Sequence, residues 1–344
     1  MKLYSGLLLG LALCSSFSAV HAEDAHDKKP ELLKTVSTPP KTADTNAPEK
    51  SEPQKVYVGI YVNDIFGVSL ADYKFDADYY IWFRWKGALK PLSTFQTANG
   101  RINKKDGVVE KKIGEWNYAS CRVTSTFQEH WDLRHFPFDT QVLALEFEDN
   151  ENDIGTFQFV ADTENCALDP GIRLPGWQIT SASYDVKEHQ YNSNYGDTSL
   201  PSGAKSVWSR FCLSITAVRP GYGYFFKLCW GLLIAMLIAL VPMFLKPTDG
   251  PRFGLGTGAL FAAMANAYVI SNALPKDTGM TTADMFFVLA LSAIFISVCE
   301  SIVSLRMFTA GKQEAAQRLD RICFWVVLCA YTVGGTLLIV VPVV

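Results

Sequence analysis

Carboxylate side chains are crowded between residues 146 and 153 of this 344-residue chain, in the run EFEDNEND. Grouped carboxylates can hold an amine by ion pairing, coordinate Ca²⁺ through their oxygens, or take up protons where their pKa values are raised. A solvated acidic loop that binds nothing is the competing interpretation. The chemistry indicated here is reversible binding, with Glu148 and Asn150 as candidate residues.

The sequence lacks the patterns that mark an enzyme. It contains no Walker loop, dinucleotide-binding glycine pattern, zinc motif or nucleophile elbow, so we expect neither catalysis nor a cofactor. His130 and His135 have no partner at a metal-ligand spacing and are interpreted as ordinary loop residues. The net charge of −3 comes without a concentrated stripe of Lys and Arg, which argues against a nucleic acid partner.

A second informative segment is Asp132–Gln141, with the sequence DLRHFPFDTQ. A proline between two phenylalanines, with charges on both sides, predicts an exposed loop tip that presents apolar rings. Because this segment precedes the first long apolar run, such a tip can press against a membrane domain.

The part of the chain after Arg219 is dominated by four apolar runs, at residues 222–245, 253–274, 286–308 and 322–343. Each is near the length of about 20 residues that crosses a bilayer as a helix. Backbone groups in lipid must be satisfied within the segment, which favours helices over other structures. We therefore predict a four-helix transmembrane domain over residues 220–344.

The orientation of these helices follows from their linkers. Residues 246–252 and 309–321 contain Lys and Arg, whereas Lys276 is the only basic residue in the linker 275–285. Basic linkers stay in the cytoplasm, so the preceding domain and the C-terminus are predicted to lie outside it. Residues 1–22 fit a secretory signal peptide, which agrees with that orientation.

The outer domain is predicted to be a β-sandwich of the immunoglobulin-like kind. Residues 23–54 are too polar to build a core and are expected to be a disordered linker, so the domain begins at residue 55 and ends at 219. Within it, apolar and polar residues alternate along strand-like segments that are separated by turn signals, including Asn99-Gly100 and Asp106-Gly107. Leu143, Leu145 and Phe147 share one face of such a segment.

Taken in order, these motifs resemble those of the pentameric ligand-gated ion channels, the Cys-loop receptor superfamily, and of its bacterial branch. The similarity covers about residues 55–344 and includes the DLR-x-FPFD-x-Q signature loop, the strand that runs through Arg219-Pro220 into the first helix, and the segment Ser271–Lys276. It implies a homopentamer in a bacterial inner membrane, with a periplasmic binding domain. An agonist bound between subunits would open a central pore lined by the second helix.

The resemblance also implies how binding reaches the membrane. In the family an arginine at the strand–helix junction pairs with acidic residues of the signature loop, here Arg219 with Asp139. Coupling is expected to pass through the loops Val68–Phe75 and Pro275–Thr278 and through Phe136, Pro137, Phe138, Asp139, Arg219, Pro275 and Lys276. The alternative is that Arg219 merely marks the interfacial end of a helix.

The signature loop of this chain cannot carry the disulfide found in eukaryotic members, because the bridging positions are Glu129 and Leu143. Cys121, Cys166 and Cys212 give no disulfide framework. Free buried thiols are favoured for them, with a Cys121–Cys166 or a Cys166–Cys212 bridge left open.

The agonist site of the family is a box of aromatic and polar side chains between two subunits. Tyr80 and Trp82 match the strand that one subunit contributes, and the position that is usually aromatic is Asn150 here. The implied site contains Tyr80, Trp82, Glu148, Asn150, Tyr184, His189, Tyr191 and Tyr195. A small molecule or ion would bind there, and the alternatives are an amine held partly by cation–π attraction, Ca²⁺ or protons.

The second helix is unusually rich in Gly and Ala, which allow helices to approach closely. Alignment of its end with bacterial members, followed by spacings of three and four residues, predicts a pore face of Gly254, Gly258, Phe261, Ala265, Tyr268 and Asn272. Charge selectivity stays open. The start RFGLG at Arg252 is similar to the anion-selective branch, whereas a ring of Asp249 at the inner mouth favours cations. Glu300, inside the third run, is expected to snorkel or to pair with Arg306.

The sequence therefore predicts a ligand-gated channel that associates with membrane lipid and with copies of itself. The competing function is a non-conducting receptor, anchored in the membrane, whose tightly packed second helices never hydrate.

Overall fold

The computed structural model describes residues 52–196, 205–219 and 223–340. The predicted signal peptide and nearly all of the predicted disordered linker lie outside these ranges. The described chain consists of a sheet-rich portion, Gln54–Val218, followed by four long helices.

Ten strands form the first portion: β1 (Gln54–Ser69), β2 (Lys74–Trp85), β3 (Phe95–Thr97), β4 (Gly100–Ile113), β5 (Trp116–Gln128), β6 (Thr140–Asp149), β7 (Phe157–Ala161), β8 (Ala167–Leu168), β9 (Gln178–Tyr191) and β10 (Ser206–Val218). One sheet has the order β4-β5-β2-β1-β7, with β8 also paired to β1, and the other has the order β3-β6-β10-β9. β1 runs parallel to β7 and β8, whereas the other pairs are antiparallel.

Aromatic rings join the two sheets face to face. Tyr79 and Phe127 of the first sheet lie 5.4 Å and 6.0 Å from the ring of Phe147 on β6 of the second. Phe147 alternates with Leu143 and Leu145, and all three side chains are buried, as their period of two predicts. Burial of each such side chain stabilises the domain by about 1.5–3 kcal/mol, so this core fixes how the outer surfaces of the two sheets are presented.

The strands differ from the predicted short segments, since β1 alone has 16 residues. The hairpin predicted at Asp106-Gly107 is also wrong. That pair lies inside β4 at a break in the register with β5, and the turn between the two strands is at Gly114–Glu115. Gly107 has a φ of 57°, so it supplies the left-handed conformation of a β-bulge, which uses the same residue types as a turn.

Four helices follow the sheets: α1 (Gly223–Leu240), α2 (Pro251–Asn272), α3 (Thr282–Thr309) and α4 (Gln313–Val340). A 3₁₀ turn, Val241–Phe244, extends α1. All four helices are long and apolar enough to cross a membrane, which indicates a multi-pass membrane protein. α4 begins at Gln313, well before the predicted residue 322. Most of the predicted inner linker 309–321 therefore forms the first turns of α4.

The pore face predicted on α2 is separated from its packing face. The buried side of α2 consists of Arg252, Gly256, Ala259, Ala263 and Ile270, and it packs against α1 and α3. A Cβ added at Gly256 would lie 2.8 Å from Cγ2 of Val298 on α3, so a larger residue there would force that side chain or the helices to shift. The opposite side is exposed in the single chain, including 72% of Phe261 and 70% of Tyr268.

Candidate functional site

The junction between sheets and helices is built around Arg219, at the end of β10. Its Nε donates to Oδ1 of Asp139 at 2.7 Å, and both side chains are almost fully buried. The guanidinium also lies 4.0 Å from the ring centroid of Trp177, 4.8 Å from that of Tyr224 and 5.1 Å from that of Phe136. The expected Arg219–Asp139 contact is thus confirmed, and the aromatic rings add cation–π attraction to it.

The signature loop binds the first turn of α3 directly. The N–H groups of Thr282 and Ala283 donate to the carbonyl oxygens of Arg134 and Phe136, at 3.0 Å and 3.1 Å. The first N–H groups of a helix have no partner within it, so the loop supplies acceptors that α3 lacks. Thr281 and Asp284 form a capping box at the same helix end.

The Phe-Pro-Phe tip is not exposed, contrary to the sequence-based expectation. Phe136 is fully buried, and the ring of Phe138 packs at 5.2 Å against that of Phe225 of α1, which in turn lies 4.9 Å from Phe286 of α3. The apolar rings do face the helices, but they pack into the bundle instead of pressing on its surface. This loop therefore connects the sheets to two helices at once.

The β1–β2 turn makes a second connection. The hydroxyl of Tyr73 donates to Oδ1 of Asp277, 3.2 Å away, in the loop between α2 and α3. Tyr73 has a φ of 53°, an uncommon value for a residue with a Cβ, and its ring stacks on His130 at 5.3 Å. Pro275 is buried and Lys276 exposed in the same α2–α3 loop.

On the outer face of the second sheet, Glu148 is held by a residue that the sequence analysis missed. Arg210 of β10 donates through Nε to Glu148 at 2.6 Å and through Nη1 to Glu146 at 2.7 Å. Tyr191 donates to the second oxygen of Glu148 at 2.7 Å and accepts from Nη2 of Arg210 at 3.1 Å. Glu148 is 1% exposed, so its carboxylate is already engaged and is not presented to a free cation.

The rest of the acidic run is occupied by its own loop. Oδ1 of Asp149 accepts from the backbone N–H groups of Glu151 and Asn152, at 2.9 Å and 2.7 Å, and the hydroxyl of Thr94 bonds its other oxygen. Asn150 is exposed beside this turn. These contacts favour a structural role for Asp149 over metal binding.

The remaining predicted ligand residues lie in three separate places. His189 and Tyr195 lie 4.5 Å and 5.5 Å from the ring of Tyr191, so these three form one aromatic group. Tyr184 is opposite Leu213 on the inner side of β9 and packs against the core instead. Tyr80 and Trp82 lie on the outer face of the other sheet.

The first sheet presents its own polar and aromatic surface. Arg122 donates through Nε to Asp78 at 3.0 Å and lies 5.8 Å from the ring centroid of Tyr80. The indole of Trp82 donates to Asp162 at 3.1 Å and covers Gly59, where no Cβ would fit. Because the two sheets share a core, their outer faces point in opposite directions, and one chain cannot bring Tyr80 and Tyr191 into a single site.

Removal of the Tyr191 hydroxyl should weaken the Glu148 cluster. Burial, and then the hydrogen bond to Glu148, raise the pKa of Tyr191 to about 12, so the phenol remains a donor at neutral pH. We expect Tyr191→Phe to cost about 1–2 kcal/mol near pH 7, measured by thermal unfolding in detergent. The folded-state pKa exceeds the ordinary value near 10, so this stabilisation is complete below about pH 10 and is lost towards about pH 12.

The matched control for that experiment is Tyr195→Phe, because the side chain of Tyr195 is mostly exposed. It should leave the midpoint of thermal unfolding nearly unchanged at pH 7 and at pH 11. A constant difference between the wild type and Tyr191→Phe from pH 7 to pH 11 would contradict the assigned role of this hydroxyl.

The prediction that Glu300 snorkels or pairs with Arg306 is wrong. Its oxygens lie 3.1 Å and 3.2 Å from Nη2 of Arg252 on α2, and Asp320 of α4 lies 2.7 Å from the same nitrogen. The three side chains form a buried cluster, which we call the Arg252 triad, between α2, α3 and α4. Packing brings Arg252 together with partners that lie 48 and 68 residues further along the chain.

Cys121, Cys166 and Cys212 are free thiols, so neither of the bridges left open forms. Over residues 52–196, 205–219 and 223–340, no three His, Cys, Asp or Glu side chains are grouped as a metal site would require. No protein-family model matches this chain, and no curated protein matches it in sequence.

Proposed function

We propose that this chain is the subunit of a homopentameric ligand-gated ion channel of the Cys-loop receptor superfamily, in the inner membrane of a bacterium. Its outer domain would be an immunoglobulin-like sandwich in the periplasm, with the C-terminus on the same side. The observation that carries the proposal is the separation of α2 into two faces.

The predicted pore face of α2 is poorly suited to lipid. Besides Phe261 and Tyr268 it carries Gly254, Gly258, Ala265 and Asn272, whereas lipid-facing positions favour large aliphatic side chains. Five copies of this face around an axis would make a water path with narrow rings at Phe261 and Tyr268. Rings of apolar side chains close such a path by expelling water from it.

The position of the predicted ligand residues supports assembly from several copies. Tyr80 and Trp82 on one outer face, and His189, Tyr191 and Tyr195 on the other, can meet only where two chains lie side by side. A head-to-tail contact of this kind repeats into a closed ring where its rotation closes, and the ring proposed here has five copies. A small molecule or ion would then bind between neighbouring outer domains.

In the proposed mechanism, ligand binding between subunits shifts a closed–open equilibrium. Strand β10 leads to Arg219, which holds the signature loop through Asp139. Carbonyl oxygens of that loop accept hydrogen bonds from the first turn of α3, and the hydroxyl of Tyr73 donates to Asp277 in the α2–α3 loop. Movement of the sheets would in this way tilt or rotate α2, and ions would pass down their gradient.

Shortening of Phe261 should open the proposed gate. We expect Phe261→Ala to raise the basal ion flux of the reconstituted protein about tenfold or more, equivalent to about 1.4 kcal/mol, because the closed path then holds water more readily. Single-channel recording in planar bilayers and flux from loaded vesicles measure this directly.

The control is Phe295→Ala on α3, which removes a phenylalanine of similar exposure, 68%, from a different helix. It should leave the flux unchanged. If neither the wild type nor Phe261→Ala gives unitary currents under any ligand or pH, the protein is a non-conducting anchored receptor and the proposal is wrong.

A further inference from the structure

The connection between β8 and β9 forms a concave surface that contains none of the residues predicted to bind the agonist. Residues 168–179 line a cavity of about 630 Å³, and small-molecule sites usually measure about 300–1,000 Å³. Most of the lining is apolar, with Pro170, Ile172, Leu174, Pro175 and Trp177 among the residues. The size and the lining suit a small organic molecule.

This connection is ordered by its own contacts. The N–H of Ile172 donates to the carbonyl oxygen of Asp169 at 3.1 Å, and the N–H of Trp177 donates to that of Leu174 at 3.0 Å. Ile172 and Leu174 are buried, so they anchor the segment in the core. A cavity that is already formed loses little conformational entropy when a ligand enters, which favours binding.

The cation of the cavity is Arg173, whose guanidinium is fixed by the backbone of its own segment. Nη1 donates to the carbonyl oxygens of Pro170 and Ile172, at 3.0 Å and 2.9 Å. Among the residues that the structure describes, none accepts from Nε or Nη2, and no acidic side chain pairs with Arg173. Nε and Nη2 form an edge that can take a carboxylate through two parallel hydrogen bonds. That edge is therefore oriented and available for an anion.

Asp169 also lines the cavity, but its carboxylate is already engaged. Oδ2 accepts from the hydroxyl of Tyr61 at 2.9 Å, and Oδ1 accepts from the N–H of Gly171 at 2.6 Å. The protein thus satisfies the oxygens that could hold an amine, whereas it leaves three N–H groups of Arg173 without an acceptor. The polar groups that remain favour an anionic ligand over a cationic one.

One wall of this cavity is shared with the junction between sheets and helices. The ring centroid of Trp177 lies 4.0 Å from the guanidinium carbon of Arg219. Leu174 and Trp177 also border a tight apolar space that is lined by Val68, near the end of β1. A molecule packed against Trp177 would therefore adjoin the groups proposed to couple the sheets to the helices.

We propose that this cavity is a second binding site, for an organic carboxylate with an apolar body, and that its occupancy modulates the channel. Arg173 takes the carboxylate through Nε and Nη2, and the apolar body packs against Trp177. The site depends on the geometry of residues 168–179 alone, whereas its effect on ion flux rests on the function proposed above. Because both ligands act on the same junction, each should change the affinity for the other by the same factor.

Isothermal titration calorimetry of the full chain in detergent tests the site, with phenylbutyrate as the probe. We expect phenylbutyrate to bind about tenfold or more tightly than the neutral phenylbutyramide, which cannot form charge-assisted hydrogen bonds. Arg173→Gln should weaken phenylbutyrate binding by about tenfold or more. Arg173→Lys keeps the charge but not the paired donors, so its effect should be intermediate.

The matched control is Arg101→Gln, which removes an exposed arginine from β4 and should leave the affinity unchanged. Arg173 is also exposed, so the midpoint of thermal unfolding should be similar in all of these variants. A weaker binding signal from Arg173→Gln then reports the site and not a loss of folded protein.

Ion flux from loaded vesicles tests the modulation. In the Phe261→Ala background, which should conduct without an identified agonist, phenylbutyrate should change the flux several-fold. When Arg173→Gln is added to that background, phenylbutyrate should leave the flux unchanged.

The outcomes that contradict the inference differ in what they remove. Absence of phenylbutyrate binding up to about 10 mM overturns the site and means that solvent or a second copy of the chain fills the cavity. Binding that is equally tight in Arg173→Gln places the carboxylate elsewhere and overturns the site as well. Binding without a change in flux removes the modulation alone. Absence of any current removes the proposed channel, while the calorimetric result still decides the site.

Discussion

Asp139→Asn should destabilise the protein by about 3–5 kcal/mol and abolish coupling between the sheets and the helices. The substitution removes the charge that balances the buried guanidinium of Arg219, whose Nε lies 2.7 Å from Oδ1 of Asp139. Loss of one partner from a buried pair leaves an uncompensated charge in an apolar environment, and that cost sets the magnitude. Trp177, Tyr224 and Phe136 still surround the guanidinium, so some of the attraction is retained.

The same loop contains a matched control. Asp132 pairs with Arg134 at 2.7 Å, but both side chains are more than half exposed, so Asp132→Asn should cost no more than about 1 kcal/mol. Thermal unfolding of the two purified variants in detergent measures the difference. If Asp139→Asn unfolds at the same temperature as Asp132→Asn and responds to ligand as the wild type does, Arg219 only marks the interfacial end of a helix.

Arg252→Met is the second substitution with a large expected effect. It leaves Glu300 and Asp320 together between three helices without the cation that holds them, and the expected loss is again about 3–5 kcal/mol. Destabilisation should appear as a lower yield of the folded protein and a lower midpoint of thermal unfolding. Arg318→Met removes an arginine of α4 from an exposed pair with Glu314 and should have little effect.

A triple variant separates loss of charge balance from loss of packing. When Glu300 and Asp320 are also replaced by leucine, no unpaired charge remains, and apolar side chains often replace a buried ion cluster at little cost. Arg252→Met, Glu300→Leu, Asp320→Leu should therefore recover most of the stability lost in the single variant. A triple variant that is less stable than Arg252→Met would show that the triad acts through its shape and hydrogen bonds.

Local patterns of the sequence predicted the elements of the fold better than the contacts between them. The alternation along β6 placed Leu143, Leu145 and Phe147 in the core because side-chain direction in a strand depends only on position. The apolar runs similarly indicated helices long enough to span a membrane. By contrast, Asp106-Gly107 fits a bulge as well as a turn, and only pairing with β5 distinguishes the two.

The site residues that were missed are held by contacts that span the sequence. Arg210 reaches Glu148 because β10 and β6 place the two residues directly opposite one another, a register that neither strand encodes alone. The partners of Glu300 come from α2 and α4, so its nearness in sequence to Arg306 was misleading. The Arg219–Asp139 contact was predictable only through resemblance to a family in which the two positions meet.

The bonds from the signature loop to Thr282 and Ala283 limit how this protein can be recombined. Two carbonyl oxygens of the sheet-rich portion complete the first turn of α3, so cutting the chain at Arg219 would divide one folded unit between two parents. A chimaera that exchanges the sheet-rich portion alone would have to reproduce the backbone path of residues 134–136 against a foreign helix. Exchange of that loop together with the opening turn of α3 is the more conservative boundary for grafting another sheet-rich portion onto these helices.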